Sequence, residues 1–172
     1  MGRDKALLPF RGGVLVQSVA QAVALAGGSV TLAGNPARYA HLGYRVIPDL
    51  YPGEGPLGGI LTALHDTEAD WNLITACDLP HLSPDFLSHI LDAARSSAAD
   101  ALLPESPAGL EPLCAAYHRR SRAGLEAAFT RGVRKIQEAL QDISLATLPA
   151  PDLTPLRNAN TPEEWRRHAA FE

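Results

Sequence analysis

Residues 72–77, Asn-Leu-Ile-Thr-Ala-Cys, form an apolar run without alternation, and Asp78-Leu79-Pro80 closes it. A strand with one wet face would alternate apolar and polar residues. A continuous run of this length reads as a strand buried on both faces, the pattern of a mostly parallel sheet sandwiched between helices. The rest of the chain supplies the covers. Residues 14–26 are apolar with alanine and glutamine interleaved and end at Gly27-Gly28, which predicts a helix with a glycine stop. Residues 29–32 and 44–47 are short β-branched strands, with one or two helical turns over 36–42 between them. A helix continues through 60–65. Ser83-Pro84-Asp85 opens another with a cap, a first-turn proline and an acidic residue, running to about residue 96. Strands at 100–103, 112–117 and 144–148 frame helices at 122–130 and 133–140, and Thr161-Pro162-Glu163-Glu164 opens a terminal helix. Strands alternating with helices predict βαβ units in an α/β fold. Neither an internal repeat nor a second domain is visible in the 172 residues.

Composition narrows the function. Charged residues make up 20% of the chain and the formal net charge is -4. That is not the basic footprint of a nucleic-acid binder, so a polyanionic ligand must be held by local features. Two cysteines, Cys77 and Cys114, do not make a secreted disulfide framework and fit a reducing cytoplasm. No apolar run approaches the roughly 20 residues needed to span a bilayer. The six histidines lack zinc-site spacing and no Cys/His cluster is present. No nucleophile elbow marks a covalent hydrolase.

In open α/β sheets, ligands bind outside the carboxyl ends of the strands. Asp49 and Asp78 each lie just past such an end. Asp78 could hold Mg²⁺, which takes one or two carboxylates plus phosphate oxygens, or it could end the strand as an Asx turn. The same two readings apply to Asp49. Gly55-Pro56-Leu57-Gly58-Gly59 runs from a glycine-rich loop into a helix. Small residues there let a ligand approach the backbone, and a helix start offers N–H donors. A plain tight turn would use the same residues. Lys5 alone reads as a surface charge. Capping explains Thr161 to Glu164 but not the asparagines at Asn158 and Asn160.

Four segments taken together resemble the molybdenum cofactor guanylyltransferases: Met1-Gly2-Arg3-Asp4-Lys5-Ala6-Leu7-Leu8, Gly55-Pro56-Leu57-Gly58-Gly59, Cys77-Asp78-Leu79-Pro80 and Asn158-Ala159-Asn160-Thr161-Pro162. The resemblance spans nearly the whole chain. It implies one nucleotidyltransferase domain over residues 1–172 with a three-layer αβα, Rossmann-like fold. It implies transfer of GMP from GTP to the phosphate of molybdopterin, with pyrophosphate released. Lys5 then resembles the lysine on the triphosphate, and Asp78 the magnesium ligand; these two are the expected catalytic residues. Asp49 and Gly55 to Gly59 resemble nucleotide contacts, with the loop beside the guanine. Asn158 and Asn160 resemble the asparagines on the molybdopterin side, and Asn35 falls near a nucleotide-contacting asparagine. The implied partners are GTP, molybdopterin, and molybdoenzymes or cofactor-delivery proteins, with neither nucleic acid nor membrane. The alternatives are a related cytidylyl- or sugar-phosphate nucleotidyltransferase and a non-catalytic nucleotide-binding relative.

In that family a strand and a Leu-Ala-Gly-Gly-x-Ser-x-Arg loop precede the Met-Gly. The expectation is that this first strand and the phosphate loop are missing here, that upstream coding sequence would supply them, and that the sheet has a gap where the strand belongs.

Overall fold

Helices and strands alternate along the computed structural model, which describes residues 4–150 and 152–157. A short hairpin of β1 (Pro9–Phe10) and β2 (Gly13–Val14) leads into α1 (Leu15–Gly27). Then come β3 (Thr31–Ala33), α2 (Pro36–Tyr39), β4 (Arg45–Ile47), α3 (Pro56–Asp66), β5 (Trp71–Thr75) and α4 (Pro84–Arg95). The second half holds β6 (Ala101–Ser106), β7 (Gly109–Leu110), β8 (Cys114–His118), α5 (Ser121–Thr130), α6 (Ile136–Ala139) and β9 (Leu145–Pro149). The expected helix signals do the work assigned to them. The Ser83 hydroxyl accepts from the Phe86 N–H at 3.2 Å, and Gly28 ends α1 in the left-handed region at φ 80. The terminal helix expected from Thr161 lies outside the described residues.

The main sheet runs β5-β8-β6-β9, with β7 a short hairpin partner of β6. β6 and β9 are parallel, whereas β8 is antiparallel to both β5 and β6. The sheet is therefore more mixed than the apolar runs predict. The reason lies in chain length. Residues 107–113 separate β6 from β8, too few for the crossover that a parallel partner needs, so the chain folds back through β7.

Alternate residues of the central strands face opposite helix layers. Ala101, Leu103, Ala115 and Tyr117 pack with Leu57, Ile60, Leu61 and Leu64 of α3 and with α5 and α6. Leu102, Cys114 and Ala116 pack with Leu15 and Val19 of α1 and with Leu87 and Ile90 of α4. Two cores on either side of one sheet make the three layers that the sequence implies.

β3 and β4 pair in parallel, from Thr31 with Arg45 to Ala33 with Ile47, and form a sheet of their own. α3 packs on both β3 and β5. Among the described residues, β5 pairs only with β8 and β3 only with β4. Among them, too, no helix is long and apolar enough to cross a membrane.

Candidate active site

Asp78 is set in place by the end of β5. The ladder with β8 continues one step past the strand, where the Ala76 N–H donates to the Leu113 carbonyl at 2.7 Å. The chain then turns through Cys77 and Asp78, and buried Leu79 and Pro80 pin the far side of the turn. Half-buried Asp78 opens onto a crevice of about 690 Å³ that Pro56, Glu111, Arg134, Lys135 and Leu156 also line. The crevice lies beyond the carboxyl end of β5, as expected of an α/β sheet.

Lys5 reaches the same corner from the other side. It begins a 3-10 turn, Lys5–Leu7, capped by Asp4, whose Oδ1 accepts from the Ala6 N–H at 3.1 Å. The other Asp4 oxygen accepts from the Tyr39 hydroxyl at 2.7 Å and from Arg38 Nη1 at 2.9 Å, which ties the turn to α2 just past β3. Burial alone would raise the Asp4 carboxyl. The hydrogen bonds from Tyr39, Arg38 and Ala6 outweigh it and hold the group below the usual carboxylate range. Desolvation and the charges of Asp78 and Asp4 push the Cys77 thiol up, while Lys5 draws it back down. Lys5, from near the start of the chain, therefore acts on the same residue as Asp78, the sequence neighbour of Cys77.

Asp49 is exposed and follows β4. Its Oδ1 accepts from the Tyr51 N–H at 2.9 Å, an Asx turn, and from the Thr62 hydroxyl at 3.1 Å. Thr62 is buried in α3, where its oxygen also accepts from the Leu50 N–H at 3.1 Å and lies 2.9 Å from the Gly58 carbonyl. Asn35 caps α2, accepting from the Ala37 N–H at 3.0 Å.

The glycine-rich loop divides its labour. Pro56 lines the crevice. The Leu57 side chain is fully buried in the core, so only its backbone is available to a ligand. Gly58 is there for packing, since a Cβ on it would stand 2.9 Å from the Tyr51 Cβ. Beside Gly59 a Cβ would meet nothing within 4 Å, which leaves open space. The helix start is poorer in donors than the sequence suggests: Pro56 has no N–H, and that of Gly58 turns back to the Gly55 carbonyl at 3.1 Å.

Asn158 and Asn160 lie outside the described residues, although Leu156, two positions before Asn158, lines the crevice. Several lining or supporting residues are not singled out by the sequence: Glu54, Thr62, Glu111, Arg134 and Lys135. The helix predicted over 133–140 is shorter than expected. Lys135 is extended ahead of α6, which delivers Arg134 and Lys135 to the crevice wall. The one signal for Thr62 is a hydroxyl on the apolar face of a helix. Among the described residues no three His, Cys, Asp or Glu side chains converge to hold a metal by themselves. The Asp78 carboxylate, with Glu111 also on the crevice, suits an ion that shares its coordination with a phosphorylated substrate.

Residues 1–144 match the MobA-like NTP transferase domain. The chain belongs to the MobA-like NTP transferase family. Proteins named probable molybdenum cofactor guanylyltransferase are similar to it. That of Nostoc sp. is 36% identical over 95% of this chain and 82% of its own length. That of Deinococcus radiodurans is 36% identical over 87% of this chain and 78% of its own length. The crystal structure of molybdopterin-guanine dinucleotide biosynthesis protein A from Archaeoglobus fulgidus superposes with a TM-score of 0.83 at 25% identity, covering 99% of this chain and 91% of that one. The fold alone is also shared with 2-C-methyl-D-erythritol 4-phosphate cytidylyltransferase from Thermus thermophilus, at TM-score 0.76 and 16% identity. The MobA-like match covers Lys5, Asp49, the glycine-rich loop and Asp78, and ends before Asn158.

Proposed function

We propose that this chain transfers GMP from GTP to the phosphate of molybdopterin, as the names of its MobA-like relatives indicate. The observation that carries the reading is the meeting of Asp78 and Pro56 on one crevice beyond the end of β5. A carboxylate able to share a metal, and a residue of the glycine-rich loop lining the same cavity, support the reading.

In the proposed reaction an oxygen of the molybdopterin phosphate attacks the α-phosphorus of GTP. The bond from that phosphorus to the bridging oxygen breaks, and pyrophosphate leaves with the electron pair. Both partners are anions, so catalysis rests on positioning and charge stabilisation, and a covalent nucleophile is not needed. Asp78 would hold Mg²⁺ together with phosphate oxygens of GTP, and the ion supplies neutralising charge when bound. Lys5 places an ammonium beside the triphosphate, where it favours the charge building on the departing pyrophosphate. The open space at Gly59 and the backbone of Gly55 to Leu57 admit the nucleotide, and Asp49 lies beside that loop on its Thr62 hydrogen bond. Asn158 and Asn160 are assigned to molybdopterin. The reading places the reaction in the cytoplasm and passes the product to molybdoenzymes or cofactor-delivery proteins.

Titration with GTP and Mg²⁺, followed by molybdopterin-dependent release of pyrophosphate, tests this. Turnover of CTP but not GTP would replace it with cytidylyl transfer. Tight GTP binding without pyrophosphate release would favour a non-catalytic relative.

A further inference from the structure

The loop that carries Gly55 to Gly59 leaves β4 exposed and contains two residues in the left-handed region, Gly53 at φ 82 and Gly55 at φ 81. Such a stretch does not hold a nucleotide-sized opening by itself. Its inner end is fixed where Asp49 meets Thr62. Its middle is fixed by contacts with the end of α5. The Tyr51 ring packs on Phe129 with centroids 4.7 Å apart, and the Glu54 carboxylate accepts from Arg134 Nε, across 80 residues of sequence.

Arg134 is a preset anchor. Its Nη1 donates to the carbonyls of Phe129 at 2.8 Å and Val133 at 3.0 Å. Its guanidinium carbon stands 3.9 Å from the centre of the Phe129 ring. A planar guanidinium held at Nη1 and stacked on one face presents its Nε–H in a fixed direction. Arg134 also lines the crevice, as do its neighbours Lys135, Ile136 and Gln137 and, from the loop side, Pro56. One side chain thus joins the loop to the opposing wall.

We infer that Arg134, through Glu54, is a positioning residue that sets the spacing between the glycine-rich loop and the 134–137 wall, and with it the selection of the nucleotide base. The inference rests on the proposed nucleotide role of that loop. The pair is exposed, so its loss has a modest effect on stability and is read through affinity. Glu54→Gln should weaken GTP binding by about three- to fivefold, in line with an exposed ion pair. It should also narrow the ratio of GTP to CTP affinity by a similar factor, with an unchanged melting temperature. Arg134→Met should do the same and add little on the Glu54→Gln background, because the two act as one device.

The experiment is a calorimetric titration of the full chain and these three variants with GTP and with CTP in Mg²⁺, alongside Gly59→Leu, which fills the open space beside the loop. Coupled effects of Glu54 and Arg134 on affinity and on the GTP:CTP ratio support the clamp. If Gly59→Leu weakens GTP binding while Glu54→Gln does not, the loop reading stands and the clamp is overturned. Additive losses in the double variant also overturn it, since Arg134 would then act on the nucleotide independently of Glu54. If Gly59→Leu binds GTP as the parent does, the loop reading fails and the clamp falls with it.

Discussion

Asp78 and Lys5 bring opposite charges to one corner of the fold, and their substitutions should fail differently. Asp78→Asn keeps the shape of the turn, where half-buried Asp78 has Leu79 and Pro80 packed behind it. Stability should change by no more than about 0.5 kcal/mol, while Mg²⁺-dependent turnover falls by about 10²–10³-fold. Near-normal rates in this variant would remove the metal role. Lys5→Ala should instead raise the KM for GTP and slow pyrophosphate release; equal affinity and rate would take Lys5 out of the site. Asp4, next to Lys5, makes a third prediction. Its carboxyl is held below its ordinary value because hydrogen bonds from Tyr39, Arg38 and Ala6 outweigh burial. A depressed carboxyl stabilises the fold above the unfolded pKa, about 3.9, and that contribution is lost as pH falls through the lower folded value. Tyr39→Phe should therefore cost about 1 kcal/mol near neutrality. Its deficit against the parent should shrink as pH falls from the unfolded value, about 3.9, towards the lower folded value of Asp4. Urea unfolding at pH 7 and pH 3 measures both, and an equal deficit at the two values would mean that the Tyr39 hydroxyl does not act through the Asp4 charge.

Among the elements, α5 is the one whose packing tolerates least. A Cβ on Gly124 would lie 2.6 Å from Ile143 Cγ2 and 2.8 Å from the Asp142 carbonyl oxygen. Alanine is the better helix former by about 1 kcal/mol, yet part of the obstacle is backbone and cannot rotate away. Gly124→Ala should come out destabilising by about 1–3 kcal/mol net; a gain in the urea midpoint would show that the 142–143 segment yields. Nothing in residues 121–130 announces this glycine as a contact, because its partner is almost twenty residues away and arrives through tertiary packing. The same limit separates the legible from the illegible parts of the site. The Asp78 turn, the Ser83 cap and the entry into α3 are local, written in neighbouring prolines, glycines and acids. β8 reversed direction against the expected parallel sheet, although the short 107–113 connection held the answer. Thr62 beneath Asp49 and Arg134 against Glu54 depend on contacts between distant segments, which composition and periodicity do not encode. α6 is shorter than its hydrophobic pattern because residues 133–135 run extended towards the crevice.

At the scale of the whole molecule, the described residues leave the β3–β4 pair and the main sheet unjoined. α3 packs on both β3 and β5, so the two free edges share a helical cover. Every residue of β5, including Leu73 and Ile74, is only half-buried, whereas Ala101, Leu102, Leu103, Ala115, Ala116 and Tyr117 in β6 and β8 are buried. Asp4 marks the way in. It hydrogen-bonds to Arg38 and Tyr39 just past β3, and its charge is felt at Cys77 just past β5. A segment entering Asp4 from the far end of the sheet would run between the two edges in the direction of β5 and finish at the crevice. We propose that an added strand pairing with both edges would fit this slot, and that its end at the crevice would supply the backbone donors that the α3 start lacks, with Pro56 and Gly58 unable to provide them. A triphosphate needs such a cradle of N–H groups. A strand making on the order of five ladder bonds at about 1 kcal/mol each would raise the melting temperature by about 10 °C or more, at roughly 2–4 °C per kcal/mol for a chain of this size. Lengthening the chain at its N-terminus by an apolar strand and a glycine-rich turn, and following both the melt and GTP titration, tests the idea. Higher melting with tighter GTP binding is the expected result. Higher melting without tighter binding would keep the strand but reject the cradle, and no change in either would reject both.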